Sequence, residues 1–203
     1  MPTLYLVAQD KRQQEALAEP LAGESLQTVV FSCVSDFVSH EGFDEVGCVV
    51  IDLPGPPTFL KSILRLRAAL PEHLPVIVIT EKADVTLAVQ AMKQGAFDLL
   101  EQPVEGARLV ASVLSAMKVS RARAARVRRK RELIARYQTL SPREKDVVDA
   151  VLGGRGNREV ASKLGIKPRT VETHRSNAMN KLGARTLPDL VRIWLDLDAG
   201  HAS

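Results

Sequence analysis

Five short apolar runs, at residues 4–8, 28–31, 48–52, 76–80 and 97–100, fill the first 115 residues of the chain, and a stretch with helical apolar spacing follows each. Runs of this length alternating with amphipathic helices predict a parallel sheet covered on both faces. In such sheets chemistry gathers where strands end at their carboxyl side, and Asp52 and Thr80 stand at two of those ends.

The charge divides the rest of the chain. Residues 1–117 carry 8 basic and 15 acidic side chains, residues 118–138 carry 9 and 1, and residues 139–203 carry 11 and 8. The net charge of +4 therefore hides an acidic domain (1–117), a strongly basic connector (118–138) and a mildly basic domain (139–203). The connector, KVSRARAARVRRKRELIARYQ, has no Gly or Pro and is rich in helix formers, so it is expected to continue the preceding helix. Val119, Leu133 and Leu140, with Ala122 and Tyr137, keep an approximate heptad spacing that Arg126 and Lys130 interrupt. Two readings of its arginines stay open. They form a solvated face neutralised by the acidic domain, or they contact phosphates.

Helix punctuation governs residues 140–192. Ser141 and Glu144 make a capping box ahead of a stripe at Val147, Val148, Val151 and Leu152, and Gly153, Gly154 and Gly156 end that helix. Asn157 suits the N-cap of a short second helix burying Val160, Ala161 and Leu164, which Gly165 stops. In a third helix, from about Pro168 to Leu182, Val171, Ala178 and Leu182 point inward. Arg169, Glu172, Thr173, Ser176 and Asn180 form an opposite, polar face. Two helices joined by a tight turn, the second with a polar face of short side chains, fit the major groove of DNA. Periodicity alone also allows an ordinary solvated bundle.

Thr186 and Asp189 can cap a fourth helix, in which Leu187, Leu190, Val191, Ile193, Trp194, Leu195 and Leu197 cover more than one stripe. A helix that is apolar around most of its circumference is covered on more than one side. A small domain supplies one cover, and a second subunit is the expected other, with the connector or the first domain as the alternative cover. Leu190, Ile193, Trp194 and Leu197 are the dimerisation candidates.

LSPRE, PRTVETHR and NAMNKLGA resemble the LuxR-type helix-turn-helix domain of the FixJ/NarL group of response regulators. The resemblance implies that Glu172, Thr173 and Ser176 face bases, and that Arg169, Thr170, His174 and Arg175 contact phosphates or position the helix. It also implies a homodimer on double-stranded DNA with inverted half-sites. CVVIDLPGP and PVIVITEKADVTLAVQAMKQGAFDLLEQP resemble the receiver domain of the same group, which implies a five-stranded parallel sheet in the order 2-1-3-4-5. A histidine kinase or another signalling protein is then a further expected partner. Asp52 falls at the phosphoacceptor position and Thr80 at the switch hydroxyl, while Pro54 would offer a metal its backbone carbonyl.

The departures from that pattern carry the functional expectation. Ala8 and Gln9 stand where the family has two adjacent acids that hold Mg²⁺, with Asp10 as the neighbouring acid. Gln102 replaces the lysine before the fifth-strand proline, and Leu99 replaces the switch aromatic. Mg²⁺ keeps its water unless carboxylates offset its dehydration, so it should bind poorly at Asp52. Charge-assisted contacts are worth roughly 1.5–3 kcal/mol each, so losing two or three would slow phosphoryl transfer about a thousandfold or more.

The expected function is a transcription regulator with a degenerate receiver and little dependence on aspartyl phosphorylation, with no catalytic residues and no cofactor. Two alternatives stand beside it. One is a conventional switch in which Asp10 or Gln9 restores the metal site, and the other is an interaction module that sequesters a signalling partner. No apolar run reaches transmembrane length and no signal-peptide pattern opens the chain, so a cytoplasmic protein with no membrane partner is expected. Cys33 and Cys48 lack CxxC spacing and read as reduced thiols, and the four histidines show no metal-ligand spacing.

Overall fold

The computed structural model describes residues 1–53 and 59–198. The chain divides into two compact units, Met1–Ala125 and Arg126–Ser203.

In the first unit, β1 (Thr3–Val7), β2 (Gln27–Phe31), β3 (Gly47–Asp52), β4 (Val76–Thr80) and β5 (Asp98–Glu101) form one parallel sheet in the order β2-β1-β3-β4-β5. The helices between them are α1 (Lys11–Ala18), α2 (Val34–Val38), α3 (Phe59–Ala69) and α4 (Val85–Lys93), and α5 (Gly106–Gln138) follows β5. Each run expected as a strand is one, within a residue of the expected limits. β1 and β4 are buried along their whole length because apolar residues project to both faces. Tyr5, Val7, Val49, Ile51, Val76 and Val78 enter one core layer, where Phe37, Phe59 and Leu66 meet them. Leu4, Leu6, Val50, Ile77 and Ile79 enter the other, with Leu109, Val113 and Met117 of α5. Short carboxylate caps place the helix starts: Asp10 accepts from the amide of Arg12 at 2.7 Å and Asp84 from that of Leu87 at 2.6 Å.

The basic connector is part of α5 and is shared between the units rather than standing between them. Ser120 and Ala124 are buried in the first unit, and Ser120 Oγ accepts from the amide of Gly47 at 3.1 Å. Leu133 is buried in the second unit.

The second unit contains α6 (Pro142–Leu152), α7 (Asn157–Leu164), α8 (Pro168–Leu182) and α9 (Leu187–Asp198). The capping box of α6 is formed, with the Glu144 amide donating to Ser141 Oγ at 3.3 Å and the Ser141 amide to Glu144 Oε2 at 2.7 Å. Thr186 and Asp189 cap α9 in the same reciprocal way. The start of α7 differs from expectation. Gly156 is its N-cap and Asn157 its first helical residue, because Glu159 reaches back to accept from the Gly156 amide at 3.0 Å. Gly165 ends α7 at φ +66° and Gly183 ends α8 at φ +75°, left-handed conformations that leave glycine unstrained.

Candidate nucleic-acid interface and the pocket at Asp52

α8 is built with two chemically distinct sides. Val171, Ala178 and Leu182 are buried against Val147, Val148, Val151 and Val160, which anchors the helix on α6 and α7. Arg169, Glu172, Thr173 and Ser176 are exposed along the outer side, whereas Thr170, His174 and Arg175 are half-buried. The three residues expected to face bases thus lie together on the surface. Thr173 Oγ1 donates to the carbonyl of Arg169 at 3.0 Å, so its hydroxyl hydrogen is engaged within the helix while the residue stays exposed. Arg175 is tied inside the unit, donating from Nη1 to Asn157 Oδ1 at 3.2 Å. The Asn157 side chain therefore couples α7 to α8 instead of capping its own helix.

A second tie escapes sequence reading. Lys181 Nζ meets Glu144 Oε2 at 2.7 Å and the carbonyl of Thr139 at 3.3 Å. Glu144 thus satisfies the N-terminus of α6 and the C-terminal turn of α8 with one buried carboxylate. The hydrogen bond from Lys181, then that from the Ser141 amide, holds its pKa below the usual value. The capping box was a visible signal, but nothing local points to a lysine 37 positions away.

The dimerisation candidates divide. Leu190, Ile193 and Leu197 are 1%, 8% and 8% exposed and belong to the core of their own unit, so they are not the surface expected of them. The reason is coverage, since α5, α6 and α8 already supply the side of α9 assigned to a partner. Trp194 is half-buried, its ring packed edge-on against Tyr137 at 5.8 Å. The apolar surface left on α9 is Leu187, Val191 and Leu195, 40%, 39% and 61% exposed.

At the carboxyl end of the sheet, an open pocket is lined by Gln9, Asp10, Arg12, Gln13, Asp52, Glu81 and Gln102. Gln102 Nε2 donates to Asp52 Oδ1 at 2.8 Å, and Gln13 also hydrogen-bonds this carboxylate. Burial raises the Asp52 pKa, the two amides oppose that shift, and the Glu81 charge adds to it. Thr80 is fully buried one strand away, with no hydrogen-bond partner for Oγ1 among the described residues.

The residues present do not suit Mg²⁺. Ala8 is buried and without a ligand atom, Gln9 is neutral, and Asp10 is engaged as the cap of α1. Among the described residues, no three His, Cys, Asp or Glu side chains converge as a metal site. Pro54 lies outside the described residues. Leu99 is half-buried against the β4 side of the core and has no ring to swing between positions. Cys48 is a buried free thiol whose pKa burial pushes up to about 12, and Cys33 is free and half-buried.

Comparison with known proteins covers both units. Residues 4–114 match the response regulator receiver domain, and residues 138–194 match the luxR family of bacterial regulatory proteins. The chain is 36% identical over 193 residues to the transcriptional regulatory protein FixJ of Rhizobium meliloti, covering 95% of each chain. It is 34% identical over 193 residues to the C4-dicarboxylate transport transcriptional regulatory protein DctR of Rhodobacter capsulatus, covering 94% of this chain and 98% of that one. Among solved structures, the response regulator StyR aligns with a TM-score of 0.80 at 29% identity, over 96% of this chain and 98% of that one. Full-length FixJ from B. japonicum aligns with a TM-score of 0.54 at 32% identity, over 97% of each.

Proposed function

The chain belongs to the response-regulator family, as a receiver domain followed by a LuxR-type DNA-binding domain, and we propose that it regulates transcription as a sequence-specific dimer with little or no dependence on aspartyl phosphorylation. The observation that carries this reading is the company of Asp52. Its carboxylate receives neutral amides from Gln102 and Gln13, where a phosphorylated receiver needs a cationic lysine and a metal held by acids.

On the output side, Glu172, Thr173 and Ser176 read base edges in the major groove. A glutamate there accepts from a cytosine amino group, and a threonine methyl packs on thymine. Arg169 holds backbone phosphate, while Thr170, His174 and Arg175 orient the helix against the duplex. Leu187, Val191 and Leu195 pair across a two-fold axis, which gives inverted half-sites about one helical turn apart. DNA-site selection with the full-length protein and no phosphodonor tests the reading. Strong enrichment of a palindromic site supports it, and enrichment only after phosphorylation refutes it.

One observation favours a conventional switch. An unpartnered buried hydroxyl such as Thr80 Oγ1 is costly to keep, and a phosphoryl oxygen on Asp52 would give it a partner. Weighing the intact protein after treatment with Mg²⁺ and a small phosphodonor decides between the two readings, since the switch requires stoichiometric addition that Asp52→Asn abolishes.

A further inference from the structure

Arg126, Arg128, Lys130 and Arg131 open the second unit with no anionic partner among the described residues, whereas Arg129 between them is held by Asp196 at 3.8 Å. Arg126 and Lys130 are four residues apart on one helix, and Arg128 and Arg131 are three apart. Like charges at these spacings repel and weaken a helix unless an external anion offsets them. The C-terminal turns of α5 are anchored all the same, through Leu133 in the core and Tyr137 against Trp194.

Helical spacing sorts the four cations. Arg126, Lys130, Leu133 and Tyr137 follow one another at intervals of four, three and four residues, so they share a face. Leu133 and Tyr137 turn that face toward α6 and α9, with Lys145 Nζ lying 5.1 Å from the Tyr137 ring. Lys130 and then Arg126 carry it about one and two turns past the edge of the core. Arg128 and Arg131 lie on the opposite side of the helix. Arg126 and Lys130 are the positions that interrupt the heptad spacing of the connector, placing cations where a coiled coil would need apolar residues.

We propose that Arg126 and Lys130 contact backbone phosphates beside the half-site read by α8, making the start of this unit a second, sequence-independent contact with double-stranded DNA. The occupant is argued from charge: two cations with no anionic partner among the described residues, on a helix anchored in the unit that carries α8, fit a polyanion, and each neutralised phosphate releases a condensed counterion. The inference rests on the DNA-binding reading above.

The test measures the affinity of full-length protein for two labelled duplexes, a selected site and a random sequence, over a salt series. R126Q/K130Q is expected to weaken both duplexes by a similar factor and to make the plot of log affinity against log salt shallower by about 1.8. R128Q/R131Q, which removes the same net charge from the far side, is expected to keep the wild-type slope. R126K/K130R is expected to restore it, which separates lost charge from lost fold. A wild-type slope in R126Q/K130Q, or equal losses in both Gln pairs, overturns the proposal and leaves the DNA reading standing. Changed sedimentation of R126Q/K130Q with an unchanged slope also overturns it, by assigning the cations to an acidic protein surface. A wild-type chain that binds neither duplex overturns the DNA reading itself.

Discussion

The Gln102 side-chain amide donates to Oδ1 of Asp52 across 2.8 Å, so the sheet's carboxyl end presents a carboxylate bonded to a neutral group from the turn after β5. A lysine ammonium there would place a positive charge beside the transferring phosphoryl group. An amide supplies a dipole alone. Incubated with Mg²⁺ and a small phosphodonor, the wild-type protein is expected to keep its mass, whereas A8D/Q9D/Q102K is expected to gain one phosphoryl group that Asp52→Asn prevents. Stoichiometric addition to the wild type would end the degenerate reading.

The side chains proposed to face bases and those proposed to face phosphates are expected to separate by what their loss does. Thr173→Ala or Ser176→Ala is expected to change which site is preferred, at about 1–3 kcal/mol for the affected base pair. Arg169→Gln is expected to lower affinity for every sequence and to reduce the salt slope by about one unit. Arg175→Gln differs because Arg175 also joins α8 to α7 through Asn157, so its loss of binding comes with lower domain stability, which Asn157→Ala reproduces in part. Competition binding with variant sites reads the first pair of effects, and urea unfolding reads the last.

α9 offers a clean contrast between core and surface. Leu190→Ala is expected to destabilise the second unit by about 2–5 kcal/mol, since it empties a buried site. Leu195→Asp, on a side chain 61% exposed, is expected to leave folding nearly unchanged and to abolish dimerisation with cooperative occupancy of inverted half-sites. Sedimentation at several concentrations checks it. A dimer unaffected by Leu195→Asp and Val191→Asp together would remove this helix from the interface.

Glu144 supplies a pH dependence with a defined sign. Its folded pKa lies below the unfolded value, first because of Lys181 and then because of the Ser141 amide, so its contribution is complete above the unfolded value near about pH 4.3 and is lost as pH falls through the folded one. Glu144→Gln is expected to flatten the loss of stability in that acid range. Lys181→Met is expected to cost about 1 kcal/mol at neutral pH, a modest figure because the ammonium is 41% exposed. Trp194, the single tryptophan of the chain, reports unfolding of this unit by fluorescence.

Much of the architecture was legible because it is written in local periodicity. The strand runs, the Ser141 and Glu144 box, the Thr186 and Asp189 box and the inward stripe of α8 each follow from side chains a few positions apart, and each is formed. What stayed hidden is tertiary. Seven apolar residues on α9 show that the helix is covered, but not which neighbour covers each side, so periodicity cannot separate core positions such as Leu190, Ile193 and Leu197 from a dimer face. Asn157 has the chemistry of an N-cap, yet Glu159 satisfies Gly156 one position earlier and frees its amide for Arg175. At the pocket, Ala8, Gln9 and Gln102 were readable as losses. That Gln102 and Gln13 rebuild a neutral hydrogen-bonded setting around Asp52 depends on strands 50 positions apart and emerges only from the fold.

Ala8, 1% exposed just after β1, is a buried position where restoring an acidic side chain would be costly. A carboxylate introduced there alone would be buried on the side of the sheet end where Asp52 lies, a lysine at 102 alone would meet no metal-bound phosphate, and turning Asp10 away would uncap α1. On the proposed degenerate reading, the receiver serves as a scaffold whose response changes through its surfaces rather than through regained chemistry.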